Sequence, residues 1–432
     1  MRKGTIKVNA SGDVLGDAND GLVLEATFDN HPRPFSKYTL LKYPQNYAPL
    51  ERGVNMMHNI WMWGDPNPRQ PVYQTDFDMI AAAGFDHVRL CIAVMRMLKW
   101  DPLDPEVPVD FTEVDRQITM AMNAGLDVIV DLHTVEEYSV VPPLDGATPD
   151  AETMRDNFVK LWVKVATHYK DYPQNRLAFE VVNEPMFWDA LGTYHEFRDR
   201  CALAIRSVDP LHLILAPPHR GGAIDTLWQA IRVPTHGVGY VIHWYEPHPL
   251  THNLAGWLSP SLVANMFHGL LYPYNRNTGS NVEYIPASIN PQVNHSLVDA
   301  YVAQYMAEQW NFETMKSRTA YLKDWAEGRK VRVYCTECGI IHHTRVYKDS
   351  NSTGSYIDAP RDQETINTWL RDVTKSMEFH GVGWTIFDYQ SQFGLTNLIS
   401  PFKYGGDGML EPTLLPTTRA WMPGVLDAIF GP

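Results

Sequence analysis

The sequence has little cysteine, no long apolar run and a deficit of positive charge. It contains 4 cysteines in 432 residues, which are too few and too scattered for a disulfide scaffold. No apolar run approaches the about 18 residues that a membrane-spanning helix needs. Lysine and arginine number 36 against 50 aspartates and glutamates, for a net charge of -14, whereas neutralising phosphates requires a basic face. These absences exclude a small disulfide-rich protein, a membrane-spanning protein and a nucleic-acid-binding protein.

The few cysteines are predicted to be buried free thiols rather than a redox or metal site. Cys335 and Cys338 have the spacing of a redox motif, but such a motif normally opens a helix, and this segment has the pattern of a strand end. Residues three apart on a strand point to opposite faces. His342 and His343 are adjacent and would diverge in the same way. We therefore predict no metal and no cofactor.

The N-terminal residues bear on where the protein works. Met1 to Lys7 lack the apolar core of a signal peptide. The localisation is therefore left open, and a secreted or periplasmic protein is expected only if a signal peptide has been removed. We expect a soluble monomer.

Two β-rich segments end in a glutamate beside a residue that interrupts regular structure. Leu177 to Val182 form an apolar run that stops at Asn183-Glu184-Pro185, and a second run reaches Glu337. Apolar runs of this length are typical of strands buried on both faces of a parallel sheet. A facing pair of carboxyl groups is what glycoside cleavage needs, since one protonates the leaving oxygen while the other attacks or activates water. The alternative is that either glutamate caps a helix or pairs with an arginine.

The chain alternates strands with helices, which predicts an α/β fold. The eight predicted strands are 52–57, 87–92, 126–133, 177–182, 211–216, 238–245, 331–337 and 381–387. Helices are predicted at 75–84, 110–124, 151–172, 193–208, 225–231, 297–328, 361–379 and 419–430. This order specifies a single (β/α)8 TIM barrel better than a doubly wound sheet, and no glycine-rich phosphate loop is present.

The domain organisation follows from the same pattern. Residues 1–50 are polar and rich in turn formers, and we expect an N-terminal arm or hairpin packed on the barrel. Residues 51–432 are expected to form the catalytic domain. Within it, 246–296 is a long section after the sixth strand, and we expect a substrate-side loop insertion whose Trp257, Tyr272 and Tyr274 wall a groove.

Polar and aromatic side chains recur at the carboxyl ends of the predicted strands, where barrel active sites form. Taken alone, any of these residues could be structural, and their joint placement favours a site. They are Arg89, His133, Asn183, Glu184, His243, Tyr245, Glu337 and Trp384.

This set resembles glycoside hydrolase family 5, the cellulase family A within the retaining clan of TIM-barrel glycosidases. The resemblance covers about residues 50 to 390 and rests on Asn183-Glu184-Pro185, Thr336-Glu337-Cys-Gly and the other strand-end residues. It implies that Glu184 is the acid/base and Glu337 the nucleophile. It also implies that Arg89, His133, Asn183, His243, Tyr245 and Trp384 surround the sugar being cleaved.

Physical reasoning on the residues agrees with these roles. Glu337 must be ionised to attack, which Arg89 and a hydrogen bond from Tyr245 would favour, whereas burial and nearby negative charge would keep Glu184 protonated. Further tryptophans could form sugar subsites or belong to the core, namely Trp61, Trp63, Trp188, Trp244 and Trp257.

The predicted function is that of a retaining, endo-acting β-glycoside hydrolase that cleaves a polysaccharide or oligosaccharide, most simply β-1,4-glucan, by double displacement. Alternatives are the same mechanism on mannan, xyloglucan or β-1,3-glucan, and a noncatalytic carbohydrate-binding barrel. The presence of both glutamates argues against the noncatalytic protein. A metal-dependent hydrolase would want a His-x-His pair near the first strand, where Met56-Met57-His58 stands instead.

Overall fold

A computed structural model describes most of the chain. The described residues are 3–8, 22–27, 47–57, 72–133, 144, 149–188, 190–255, 257–277, 281–347, 356–391, 393–396 and 420–431. Trp61 and Trp63, two of the predicted sugar-binding residues, lie outside them.

The described strands are fourteen. They are β1 (Lys3–Val8), β2 (Leu22–Thr27), β3 (Arg52–Met56), β4 (His87–Ala93), β5 (Asp127–His133), β6 (Leu177–Glu180), β7 (Leu213–Ala216), β8 (Val238–Trp244), β9 (Phe267–His268), β10 (Glu283–Tyr284), β11 (Val333–Cys338), β12 (His343–Tyr347), β13 (Tyr356–Pro360) and β14 (Gly383–Ile386). Eight of them close into a parallel barrel in the order β11-β14-β3-β4-β5-β6-β7-β8. The predicted (β/α)8 fold is therefore confirmed. Three antiparallel pairs among the described strands stand outside the barrel sheet, namely β1 with β2, β9 with β10 and β12 with β13.

Helices separate the barrel strands. They are α1 (Gln74–Ala83), α2 (Val94–Met97), α3 (Thr112–Asn123), α4 (Pro149–Tyr169), α5 (Leu191–Val208), α6 (His219–Gly222), α7 (His248–Thr251), α8 (His295–Ala307), α9 (Phe312–Arg329), α10 (Gln363–Phe379) and α11 (Val425–Phe430). The helix predicted at 225–231 is a 3-10 helix, Ile224–Gln229.

The single helix predicted at 297–328 is two helices, α8 and α9. Gln309 between them has a positive φ of 54°, which a right-handed helix cannot accommodate. The Asn311 side chain then accepts the Thr314 N–H at 3.0 Å and caps the first turn of α9. Two residues, Gln309 and Asn311, therefore decide where α8 ends and α9 begins.

An apolar cluster fills the barrel and sets which side chains point inward. It is made by Ala48, Leu50, Ile129, Ala178, Leu213, Leu215, Val241 and Tyr334. Side chains alternate along a strand, so Asp131 and His133 share the inward face of Ile129, and Glu180 shares that of Ala178. The fold therefore places polar side chains directly beyond the apolar cluster, toward the carboxyl ends of the strands.

The chain groups into two compact sets of residues. The first comprises 1–243, 322–336 and 380–385, and the second comprises 244–321, 337–379 and 386–432. No helix among the described residues is both long enough and apolar enough to cross a membrane.

The section 246–296 is ordered by contacts within the second set. Tyr272 is fully buried and donates its hydroxyl to Asp372 Oδ2 at 2.8 Å. The prediction that Tyr272 lines a groove is therefore wrong, because its ring and hydroxyl are both used in packing. Trp257 is half-buried, and its ring centroid lies 6.2 Å from that of Phe393.

Candidate active site

Arg89 is the centre of a fully buried polar network inside the barrel. Its Nε and Nη2 donate to the two carboxylate oxygens of Glu180 at 2.9 and 3.0 Å. Nη2 also lies 3.0 Å from Asp131 Oδ2 and donates to Asn183 Oδ1 at 2.8 Å, while Nη1 donates to Asn55 Oδ1 at 2.9 Å. A planar guanidinium suits such bidentate contacts. The network holds Asn183, the residue before Glu184, in one orientation.

His133 extends the network and fixes the amide of Asn183 from its other end. Its Nδ1 lies 2.7 Å from Asp131 Oδ2, and its Nε2 lies 3.2 Å from Asn183 Nδ2. The amide nitrogen can only donate, so Nε2 is the acceptor and Nδ1 carries the proton toward Asp131. Asn183 therefore keeps one further N–H for a ligand.

Glu184 follows β6 in a strained backbone conformation. Its φ is +36° although it is not glycine, and the residue after it is Pro185, which disfavours helical conformations at the preceding position. Such a conformation costs on the order of 1 to 3 kcal/mol and persists where its surroundings determine it. Its Oε1 lies 2.9 Å from His243 Nδ1, and the carboxyl side chain is 26% exposed against 3% for His243. The strain thus presents a partly accessible carboxyl paired with a buried imidazole.

The electrostatics of Glu184 differ from the prediction. Burial alone would raise its pKa, but the hydrogen bond and charge of His243, with the charges of His133 and Arg89, outweigh burial and lower the pKa. The expectation that burial and nearby negative charge keep the Glu184 carboxyl protonated is therefore wrong. Glu184 and His243 form a hydrogen-bonded pair that can share one proton.

Glu337 is the buried penultimate residue of β11. The hydroxyl of Tyr245 donates to Glu337 Oε2 at 2.8 Å, as the sequence analysis expected. The Thr251 hydroxyl donates to the Tyr245 carbonyl oxygen, and the Tyr245 ring lies 4.8 Å from His252 and 5.8 Å from Phe393 between centroids. Tyr245 is therefore held from both backbone and ring while it contacts the carboxylate.

Asp388 is a third carboxyl that the sequence analysis missed. It is fully buried just beyond β14, and its Oδ1 accepts hydrogen bonds from the Ser391 backbone and hydroxyl at 3.0 and 2.8 Å. Burial raises the pKa of Asp388 to about 7, the negative charge of Glu337 adds to the rise, and the Ser391 hydrogen bonds oppose it. A protonated group near neutral pH therefore lies within electrostatic range of Glu337.

Two of the predicted tryptophans, Trp384 and Trp188, have opposite placements. Trp384 is fully buried, and its ring packs edge-on against Phe85 with centroids 6.3 Å apart. A ring enclosed in this way cannot offer a face to a sugar, so the structure contradicts the prediction for Trp384. Trp188, four residues after Glu184, is 58% exposed. Its placement is compatible with ligand contact.

Glu180, Asp131 and Asn55 are further site residues that sequence reasoning missed. A signal for two of them was present, because a charged residue inside a buried run such as Leu177–Val182 or Asp127–His133 requires a partner. Asn55 carried no such signal. Its Nδ2 donates to the Thr336 carbonyl oxygen at 3.0 Å, a contact between residues 281 apart in the chain.

One group of side chains in the network has the donor types of a metal site. Ligand atoms of Cys91, Asp131 and His133 lie within 4.8 Å of one another. The Asp131 carboxylate is already bound by the guanidinium of Arg89 and by His133. Positive charge is thus supplied there by the protein itself.

The chain matches a known protein family over most of its length. The family model for "Cellulase (glycosyl hydrolase family 5)" matches residues 45–392. The chain belongs to glycosyl hydrolase family 5. A family 5 protein is a glycoside hydrolase, and a retaining mechanism is general to that family.

Individual relatives are distant. Cellodextrinase A of Ruminococcus flavefaciens is 29% identical over 198 residues, which are 44% of this chain and 56% of that protein. Endoglucanase C of Acetivibrio thermocellus is 22% identical over 319 residues, which are 74% of this chain and 84% of that protein. A Thermotoga maritima Cel5A structure in complex with mannotriose superposes with a TM-score of 0.62 at 21% identity, covering 92% of this chain and all of that one. This last likeness concerns the fold.

Proposed function

We propose that this family 5 hydrolase is a retaining endo-β-1,4-glucanase in which Glu184 is the acid/base and Glu337 the nucleophile. The observation that carries the proposal is the difference between the two carboxyls. Glu184 is paired with an imidazole that can hold and pass a proton, and Glu337 accepts a hydrogen bond from a phenol that stabilises its charge.

In the first step, a Glu337 oxygen forms a bond to the anomeric carbon while the bond from that carbon to the leaving oxygen breaks. The pair of Glu184 and His243 gives its proton to the leaving oxygen, so both residues emerge with one proton fewer between them. Asn183 uses its remaining N–H on the 2-hydroxyl of the sugar, a contact that strengthens in the transition state.

In the second step, Glu184 accepts a proton from water, and the water oxygen bonds to the anomeric carbon. The bond between that carbon and Glu337 breaks, and the returning carboxylate is stabilised by the Tyr245 hydroxyl. Two inversions at one carbon retain the β configuration of the product.

Several β-glycans are candidates for the substrate. Relatives named as endoglucanases favour β-1,4-glucan, and one structural relative was solved with mannotriose. A panel of soluble β-1,4-glucan, mannan, xyloglucan and β-1,3-glucan, read by release of reducing ends, ranks these substrates. Release of long fragments and of a β-anomer first, seen by NMR, is the result expected of an endo-acting retaining enzyme.

Replacement of each glutamate tests the roles separately. In Glu184→Ala, a dinitrophenyl cellobioside still forms the glycosyl-enzyme intermediate, because its leaving group needs no proton, and added azide restores turnover with a β-glycosyl azide product. In Glu337→Ala, azide gives at most the α-azide. The opposite pairing of products and variants would reverse the roles.

A control glutamate separates this result from a general effect of the substitution. Glu313 has a 70% exposed side chain in the first turn of α9, and Glu313→Ala keeps full activity on every substrate of the panel. Full activity in both Glu184→Ala and Glu337→Ala would place the chemistry elsewhere.

A further inference from the structure

An exposed indole stands close to Glu184 along the chain. Trp188 is 58% exposed and lies four residues after Glu184, and four residues of extended chain span at most about 14 Å. The indole is therefore within a few sugar units of the carboxyl. Single exposed apolar side chains are common on protein surfaces, so exposure alone does not make Trp188 a binding surface.

Arg220 holds Trp188 through its ring and its backbone. The guanidinium carbon lies 5.6 Å from the indole centroid, and Nε and Nη2 donate to the Trp188 carbonyl oxygen at 3.4 and 3.2 Å. The adjacent Gly221 N–H donates to the Pro185 carbonyl oxygen at 3.0 Å. The turn that carries Arg220 is thus fastened to the segment between Glu184 and Trp188.

The backbone of Arg220 is strained in this turn. Its φ is +55°, and that of Gly221 is +71°. Glycine adopts this region freely, but arginine does so at a cost. The guanidinium covers one face of the indole, and the exposed area of Trp188 leaves apolar ring surface open to a ligand.

We propose that Trp188 and Arg220 form a platform for the sugar units on the leaving-group side of the scissile bond. The proposal rests on the proposed function, in which Glu184 donates a proton to the leaving oxygen and therefore lies on the leaving-group side. A pyranose presents an apolar C–H face that suits the open indole face. The Arg220 N–H groups can donate to the hydroxyls at the edge of the same sugar.

The test compares two substrates that differ on the leaving-group side. Cellohexaose fills that side with sugars, whereas dinitrophenyl cellobioside places only an aryl group there. In Trp188→Ala the ratio of kcat/KM on cellohexaose to kcat/KM on the aryl substrate falls about tenfold, as expected for loss of one aromatic contact. Arg220→Ala lowers the ratio less, and Arg220→Lys lowers it least.

The ratio is independent of the fraction of folded enzyme, so partial misfolding of a variant does not mimic the effect. Trp228, in the 3-10 helix between β7 and β8, is 61% exposed, and Trp228→Ala leaves both kinetic values unchanged. An unchanged ratio in Trp188→Ala overturns the platform while the wild-type activity upholds the proposed function. A wild-type protein that cleaves neither substrate overturns the proposed function and the platform with it.

Discussion

Replacement of Arg89 by methionine is the perturbation whose cost follows most directly from the structure. The guanidinium, Glu180 and Asp131 are all without solvent exposure. Arg89→Met keeps much of the side-chain volume but leaves two carboxyls buried without their cation. Breaking a buried ion pair from one side costs about 3 to 5 kcal/mol, and we expect a loss of that size in the free energy of unfolding at pH 8.

The loss should depend on pH in a direction that the pKa of Glu180 determines. Burial raises the pKa of Glu180, while the charge and hydrogen bonds of Arg89 oppose the rise. Without Arg89 the pKa rises further, so the buried carboxyl in the variant takes up a proton at a higher pH. A protonated carboxyl needs no cation. The destabilisation by Arg89→Met should therefore be smaller at pH 5 than at pH 8.

Urea unfolding followed by tryptophan fluorescence at the two pH values measures both effects. Arg200→Met is the matched control, because Arg200 pairs with Asp156 at the surface, where the side chains are 37% and 48% exposed. Such a pair contributes less than about 1 kcal/mol. A loss below 1 kcal/mol in Arg89→Met at pH 8, or a larger loss at pH 5, would refute the reasoning.

Three further predictions concern the carboxyl groups of the site. Tyr245→Phe removes the hydroxyl that contacts Glu337, and kcat/KM should fall about 10- to 100-fold, the value of a hydrogen bond to a charged group. His243→Asn should move the alkaline limb of the kcat/KM pH profile to lower pH, because the proton then rests on Glu184 alone and an imidazole holds a proton to higher pH than a carboxyl. Burial raises the pKa of Asp388 to about 7 in the folded protein, so the stability that its protonated form contributes is lost as the pH rises through 7. The melting temperature of Asp388→Asn should therefore fall less than that of the wild type between pH 5 and 8.

Each of these has an outcome that contradicts it. Tyr272→Phe is the control, because it also removes a hydroxyl that contacts a carboxylate at 2.8 Å, that of Asp372. The activity of this variant per folded molecule should be unchanged. Equal losses of activity in the Tyr245 and Tyr272 variants would make the Tyr245 effect nonspecific. If His243→Asn leaves the pH profile unaltered, the imidazole is not part of the acid that protonates the leaving oxygen. Parallel melting curves for wild type and Asp388→Asn would show that Asp388 does not titrate in this range.

Local sequence was sufficient to predict the barrel and to place its two glutamates at strand ends. Apolar runs bounded by helix and turn formers mark each barrel strand, and a polar residue at the end of such a run is placed at the rim by the strand itself. Glu184 and Glu337 were found for that reason. The four cysteines were also predicted correctly as buried free thiols, because strand periodicity rules out a shared face for Cys335 and Cys338.

The inward or outward direction of each side chain was decided by tertiary structure. A parallel strand is buried on both faces, so its sequence shows no alternation that would tell one face from the other. In β14 it is Thr385 that contacts the interior His87 at 2.9 Å, and its neighbour Trp384 therefore points outward against Phe85. The same holds for the partners of Arg89, since Asn55, Asp131 and Glu180 come together only when the sheet closes and brings separate strands around one guanidinium.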